Sequence, residues 1–348
     1  MLLSDFDYEL PEELIAQQPL EQRDASRMLI LDRAAQTRED SKFELLPDYV
    51  RGGDVVVVNN TQVFPARLIG RREPTGGRVE VLLVREFEPA VWEALVRPAQ
   101  RLKVGVRLRF GDSGLRAEVL ECSAKGLRRL KFEADGAGDH PLETLLSEQG
   151  QTPLPHYIRR HAGSAEDNER YQTVFAREKG AIAAPTAGLH FTPEVISALQ
   201  ARQAQIVEIT LHVGYGTFEP VRVEKVEQHR VRPEFFQISE AAANVINESR
   251  AQGGRVIAVG TTTTRALESA VNPQGLVAAE AGESELTITP GYKFRVTDAL
   301  LTNFHLPRSS LLLLISAFAG RDFTLAAYRH AVAARYRFYS YGDCMFVI

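Results

Sequence analysis

The stretch "GDVVVVNN" at 53–60 constrains the fold more than any other. Four consecutive β-branched residues, bounded by Gly-Asp and Asn-Asn, disfavour helix and read as a strand buried within a sheet. "RMLILDR" before it reads as a second strand. Beyond residue 190, helical and strand signals alternate. "PEVISALQARQ" predicts a helix with Pro193 in its first turn and Thr192 as cap. "IVEITLHV" predicts a strand, "SEAAANVINESRAQGG" a helix ending in glycine, "RVIAVG" a strand and "TTTTRALESAV" a helix start. "LLTNFHLPRSSLLLLISAFAG" reads as strand, loop and buried helix. The alternation predicts an α/β main domain. Further helices are expected at "PEELIAQQ", around 141–149 and over 166–178.

Between about 65 and 135 the texture changes. Short segments such as "RVEVLLVRE", "VWEALVRP", "VRLRFG" and "LRRLKFE" are separated by "TGG", "GDSG" and "AKG". Closely spaced strands with turn punctuation predict a smaller all-β barrel inserted into the main domain. The expected division is an α/β catalytic domain over 1–64 plus 150–348, with the barrel over 65–149. Residues 65–135 hold fifteen Lys and Arg against ten Asp and Glu, although the whole chain carries a net formal charge of −4. Such a basic region on an acidic body suits a phosphate backbone, and equally suits a mixed solvated sheet surface.

The overall charge argues against a general nucleic-acid binder. The longest apolar run, 311–315, is far short of the roughly 20 residues of a membrane span. "MLLSDFDYEL" has acidic residues directly after a short apolar start, unlike a signal or transit peptide. Cys122 and Cys344 form no CxxC pair, which argues against a disulfide framework or structural zinc site. A soluble, cytoplasmic protein is expected.

Several stretches carry candidate chemistry. "RVIAVGTTTTRALES" has the strand–Gly–helix form of an anion site, with Thr261, Thr262 and Thr263 at the helix start and Arg265 as a possible clamp. Simple capping is its plainer explanation. "HVGYGTFEPV" offers Gly214 and Gly216, followed by Thr217, where the backbone approaches a ligand closely or turns tightly. It lacks the third glycine of a dinucleotide fingerprint. "TNFHLPRSS" places Asn303 and Arg308 before a helix start, with Ser309 as an alternative cap. The C-terminal "RYRFYSYGDCMFVI" groups Tyr339, Tyr341 and Asp343, a set that suits a cation or a stacked base, or an ordinary aromatic strand.

Three histidines share an apolar setting: His190 after Thr186 and Gly188 in "APTAGLHF", His212 in "TLHVGYGTF", and His305 in "TNFHLP". Each alone reads as a satisfied structural residue. Together they suit acid–base chemistry near neutral pH or a three-histidine metal site. No HxH or HExxH spacing supports the metal.

Taken together these stretches resemble the S-adenosylmethionine:tRNA ribosyltransferase-isomerases of queuosine biosynthesis. The resemblance rests on "FDYELPEELIAQ" with "SRMLILDR", "VVNNTQVFPARLIGRR", "AAPTAGLHFT", "TLHVGYGTF", "VGTTTTRALES", "TNFHLPRSSLLLL" and "YRFYSYGD", in the family's order. Gln62 departs from it, standing where the family often has a basic residue.

The resemblance implies a monomeric cytosolic enzyme acting on tRNA that carries 7-aminomethyl-7-deazaguanine at the wobble position. S-adenosylmethionine is its ribosyl-donor substrate, so no separate cofactor and no metal are expected. The products are epoxyqueuosine-tRNA, adenine and methionine. His190, His212 and His305 are then expected at the reaction centre, with the candidate residues above binding substrate. The RNA is expected across Arg67, Arg71 and Arg72 and the loop containing Arg159 and Arg160. A non-catalytic RNA-binding protein and a metal-dependent hydrolase are the competing readings.

Overall fold

The computed structural model describes residues 1–112, 114–123, 126–134, 142–155, 157–159, 165–218 and 220–348. The chain divides into two compact units. The larger comprises Met1–Gln62, His156–Arg159 and Gln172–Ile348; the smaller comprises Val63–Pro155 and Arg160–Tyr171.

The larger unit is built on a nine-stranded mixed sheet. At its centre four parallel strands run in the order Gln205–Leu211, Val55–Asn59, Val256–Val259 and Ala299–Asn303. Cys344–Val347 pairs antiparallel to Ala299–Asn303 and parallel to Arg27–Asp32, and the exposed strand Thr37–Lys42 ends that side. On the other side Glu234–Ile238 and Glu280–Ser284 continue antiparallel.

The valine run is buried on both faces, because successive strand side chains point to opposite sides. Val55 and Val57 join one core with residues of the helices Glu240–Ala251, Thr261–Ser269, Ser310–Ala319 and Arg321–Ala333. Val56 and Val58 join a second core beneath Pro193–Ala201. The sequence therefore needs helices on both faces, and has them. The Thr192 cap falls where expected, accepting from Val195 N at 3.3 Å, and Ser239 caps the helix Glu240–Ala251 by accepting from Ala242 N at 3.2 Å. The two C-terminal helices meet at 116° across Gly320. Among the described residues, no single helix is long and apolar enough to cross a membrane.

Two expected helices are shorter than their periodicity implied. "PEELIAQQ" forms only the 3₁₀ turn Glu12–Leu14. Leu14 and Ala16 instead exchange backbone hydrogen bonds with Phe338, at 2.8 and 3.1 Å, so tertiary pairing displaces the helix. The helix expected over 166–178 ends at Arg170, after which Tyr171 and Phe175 are buried and Glu178–Ala181 is a strand.

The smaller unit contains a closed six-stranded antiparallel barrel. Its strands follow the order Arg67–Arg72, Arg78–Glu88, Val91–Arg97, Leu127–Ala134, Leu115–Cys122 and Arg107–Phe110, which pairs back to Arg67–Arg72. Inward positions alternate with outward ones: Leu108, Phe110, Leu115, Ala117, Val119 and Phe132 are buried while the intervening charged residues are not. Closure needs Gly70, where any Cβ would lie 2.7 Å from the Phe110 ring and 2.9 Å from a backbone oxygen. Short two-sided strands joined by tight turns bury one face each, and only closure removes the edges.

Candidate active site

A cleft opens beyond the carboxyl ends of the central parallel strands, where ligands of open α/β sheets usually bind. It is framed by the turns that leave Val256–Val259 and Ala299–Asn303, by 183–187, and by Tyr157 and Tyr339.

Val256–Val259 turns into the helix Thr261–Ser269 through Gly260, at φ 94° and ψ 153°. This backbone region is essentially restricted to glycine. No side chain caps the helix, so its first N–H groups have no partner within it. Thr261 and Thr262 line the cleft. Thr263 does not: its hydroxyl donates to Val259 O at 2.7 Å, beside Thr264, which donates to Gly260 O. Arg265 also departs from its expected place. Its guanidinium pairs with the buried carboxylate of Glu234 and donates to the carbonyls of Ser284 and Leu286, so its side chain is committed to the fold.

Ala299–Asn303 delivers Asn303, Phe304 and His305 to the same cleft. His305 is buried, with Nδ1 3.3 Å from the Tyr328 hydroxyl and Nε2 3.4 Å from Thr302 Oγ1. Its backbone N–H donates to Tyr328 Oη, and its backbone carbonyl accepts from the Tyr8 hydroxyl. Burial lowers its pKa to about 3, which keeps the ring neutral. Arg308, just beyond, is half-exposed and pairs with Asp7.

The 3₁₀ turn Thr186–His190 supplies Thr186 to the cleft and leaves His190 behind it. His190 Nδ1 lies 2.7 Å from Ser26 Oγ, and its ring packs 5.2 Å from that of Phe43. Burial lowers its pKa to about 4, against a smaller upward effect from the Asn303 side chain. A Cβ at Gly188 would lie 3.0 Å from Thr173 Cγ2, so this glycine serves packing. His212 takes a different direction from its neighbour Val213, which lines the cleft. Its Nδ1 is 2.8 Å from Thr61 Oγ1, and its ring stacks on Phe235 at 5.5 Å. Desolvation lowers its pKa, opposed by Glu178.

The remaining expected residues divide similarly. Gly214 N donates to Glu234 Oε1 at 2.8 Å, and Gly216 lies against Arg232. The side chain of Thr217 lies outside the described residues, as does Arg160. Tyr339 walls the cleft, whereas Tyr341 is buried beside it. Asp343 is structural: its carboxylate accepts from the backbone of Arg27 at 2.9 Å and Arg337 at 2.8 Å, and burial raises its pKa. On the barrel, Arg67 pairs with Glu80 at 2.9 Å and Arg71 donates to Gly76 O. A Cβ at Gly77 would lie 2.5 Å from the guanidinium of Arg72. Arg159, in the larger unit, pairs with Glu12.

Residues that the sequence reading passed over complete the site. Tyr157 and Ser340 line the cleft, and Ser26 and Tyr328 hold two of the histidines. Ser26 stands 164 positions from His190, so no local spacing signals the pair. Among the described residues, no three His, Cys, Asp or Glu side chains are grouped so that they could hold a metal ion.

Comparison with known proteins bears on this site. A family model described as "Queuosine biosynthesis protein" matches residues 3–347. A curated S-adenosylmethionine:tRNA ribosyltransferase-isomerase of Natranaerobius thermophilus is 48% identical over 348 residues, covering 100% of this chain and 99% of that one. The crystal structure of an S-adenosylmethionine tRNA ribosyltransferase from Thermotoga maritima is 38% identical, with a TM-score of 0.56 over 99% of this chain and 100% of that one. A match of this extent, joined to full-length relatives, places the chain in the queuosine biosynthesis protein family.

Proposed function

We propose that the protein is an S-adenosylmethionine:tRNA ribosyltransferase-isomerase that transfers the ribosyl part of S-adenosylmethionine to 7-aminomethyl-7-deazaguanine at the tRNA wobble position. Rearrangement to the epoxycyclopentane gives epoxyqueuosine-tRNA and releases adenine and methionine. The relatives' names support the class of activity. The observation that carries the reading is one cleft that joins an uncapped helix start, an aromatic wall and a neutral buried imidazole.

Each part answers a demand of the chemistry. The free N–H groups at Thr261 and Thr262 suit the methionine carboxylate of the substrate. The faces of Tyr157 and Tyr339 suit the sulfonium. A hydrogen on the carbon beside that sulfonium is acidified, and a base must still remove it. His305 is assigned this acid–base role because, of the three expected histidines, it is the one that lines the cleft. The apolar setting keeps water from the reactive carbon. The enzyme is proposed to be a cytoplasmic monomer without cofactor or metal. Its barrel is proposed as an inserted domain whose arginines, with Arg159 and Arg160, contact the RNA.

Incubating the protein with S-adenosylmethionine and the modified tRNA should release adenine and methionine together with epoxyqueuosine-tRNA. Formation of S-adenosylhomocysteine would identify a methyltransferase instead. Binding of the tRNA with no adenine release would favour a non-catalytic RNA-binding protein.

A further inference from the structure

Two buried polar atoms near the cleft lack a hydrogen-bond partner: His190 Nε2 and Asn303 Oδ1. Their residues are only 4% and 2% exposed. Leaving such an atom unpaired costs about 1–3 kcal/mol, so the two together invite a common explanation. Against the desolvation of its ring, His190 is influenced by the Asn303 side chain and, more weakly, by the Arg23 backbone, both of which raise its pKa.

The orientation of each group is fixed from its far side. Asn303 Nδ2 donates to Tyr339 O at 3.0 Å, which assigns the amide nitrogen to that side and leaves Oδ1 as the free end. On the imidazole, Nδ1 lies 2.7 Å from Ser26 Oγ, while the hydroxyl's alternative acceptor, Arg23 O, is at 3.4 Å. A neutral ring carries one proton. If Ser26 donates to Nδ1, that proton sits on Nε2, and pairing it with Asn303 Oδ1 satisfies both orphaned atoms. If the proton sits on Nδ1, then Nε2 and Oδ1 are both acceptors and cannot satisfy each other. Only the first arrangement meets the rule that buried polar groups are paired.

The chain of contacts ends at a strained residue. Tyr339 has φ 75°, a conformation unfavourable for a residue with a bulky side chain. Its N–H donates to Phe304 O at 3.0 Å and its carbonyl accepts from Asn303, so the hydrogen bonds on both sides hold it there. Tyr339 lines the cleft.

We infer that His190 is a positioning residue: as the Nε2–H tautomer set by Ser26, it holds the amide of Asn303, which holds the strained Tyr339 at the wall of the substrate cleft. The proton stays on His190 throughout. The link to substrate binding rests on the function proposed above; the tautomer does not.

The test has two arms. Long-range ¹H–¹⁵N spectra of imidazole-labelled protein at about pH 7, with the His190 signals assigned through His190→Gln, should show a neutral ring protonated on Nε2. Ser26→Ala should introduce the Nδ1–H form. A wild-type ring that is doubly protonated, or protonated on Nδ1, overturns the inference. In the kinetic arm, Gln at 190 can accept from Ser26 and donate to Asn303, so His190→Gln should stay within roughly threefold of wild-type kcat. His190→Ala should raise KM for S-adenosylmethionine by about tenfold, with a smaller loss in kcat. A general base gives the opposite split, a loss on the order of 10²–10⁴ in kcat for both variants at unchanged KM. If the wild-type protein releases no adenine, the functional reading fails and the spectra alone decide this inference.

Discussion

The ring of Tyr157 stands edge-on to that of Tyr339, with centroids 3.9 Å apart and planes at 87°, and its hydroxyl shares a hydrogen bond with Ser340. Residues far apart in sequence thus form one wall of the cleft. Edge-to-face pairs contribute about 0.5–1.5 kcal/mol beyond the area they bury. Tyr157→Ala should therefore loosen Tyr339 and raise KM for S-adenosylmethionine several-fold. Tyr157→Phe keeps the ring and loses only the hydroxyl, so its KM should stay near wild type. Initial rates of adenine release at varied S-adenosylmethionine check both; equal effects of the two variants would mean that the hydroxyl, not the ring, matters.

Gly260 is the hinge between strand and helix at the end of the cleft proposed to take the substrate carboxylate. Space is not its constraint, because an added Cβ would meet Thr262 Oγ1 at an ordinary 3.6 Å. The backbone is: at φ 94° and ψ 153° a side chain costs on the order of 1–3 kcal/mol. Gly260→Ala should lower stability by that amount and re-aim the first N–H groups of the helix. Urea denaturation reports the first effect. A rise in KM for S-adenosylmethionine larger than the stability loss accounts for reports the second.

Arg265 shows where reading a motif stops short. "TTTTR" suggests a clamp, because the arginine follows an anion-binding helix start. Its partner, Glu234, comes from a strand 31 residues earlier, and nothing near either residue signals the pair. The side chains are 9% and 4% exposed. Removing one partner of a buried pair leaves the other charge unmatched, at a cost of about 3–5 kcal/mol. Arg265→Ala should therefore shift the urea midpoint sharply. Loss of activity with wild-type stability would return the residue to the substrate site.

The same distinction explains what else was legible in the sequence. The valine run, the glycine-ended helix after Ile238 and the Thr192 cap are local signals, and the elements formed where those signals lie. Barrel texture was legible for the same reason, since alternation and turn residues recur over short distances. "PEELIAQQ" failed because a backbone pairing with Phe338, some 320 residues away, outweighs a short helical preference. Of the three apolar histidines, the sequence marked the setting but not the direction. Only the fold brings His305 to the cleft, ties His190 to Ser26 and ties His212 to Thr61.

The two buried histidines also give stability a pH signature. Their ordinary value is near 6.5, and burial lowers His190 to about 4 and His305 to about 3. Above pH 6.5 neither state binds these protons, so the rings contribute no pH dependence. As pH falls below 6.5 the unfolded chain takes up protons that the folded rings refuse, and stability declines. The slope is at most about 1.4 kcal/mol per pH unit for each ring, continuing down to about pH 4 for His190 and about pH 3 for His305. Carboxylates titrate mainly below this range, so urea midpoints between about pH 7 and pH 5 isolate the histidines. His190→Gln should remove its share of the slope whatever its effect on the midpoint at pH 7. A slope unchanged by that substitution would show that the ring is protonated normally in the folded protein, and so is not buried as neutral imidazole behind Asn303.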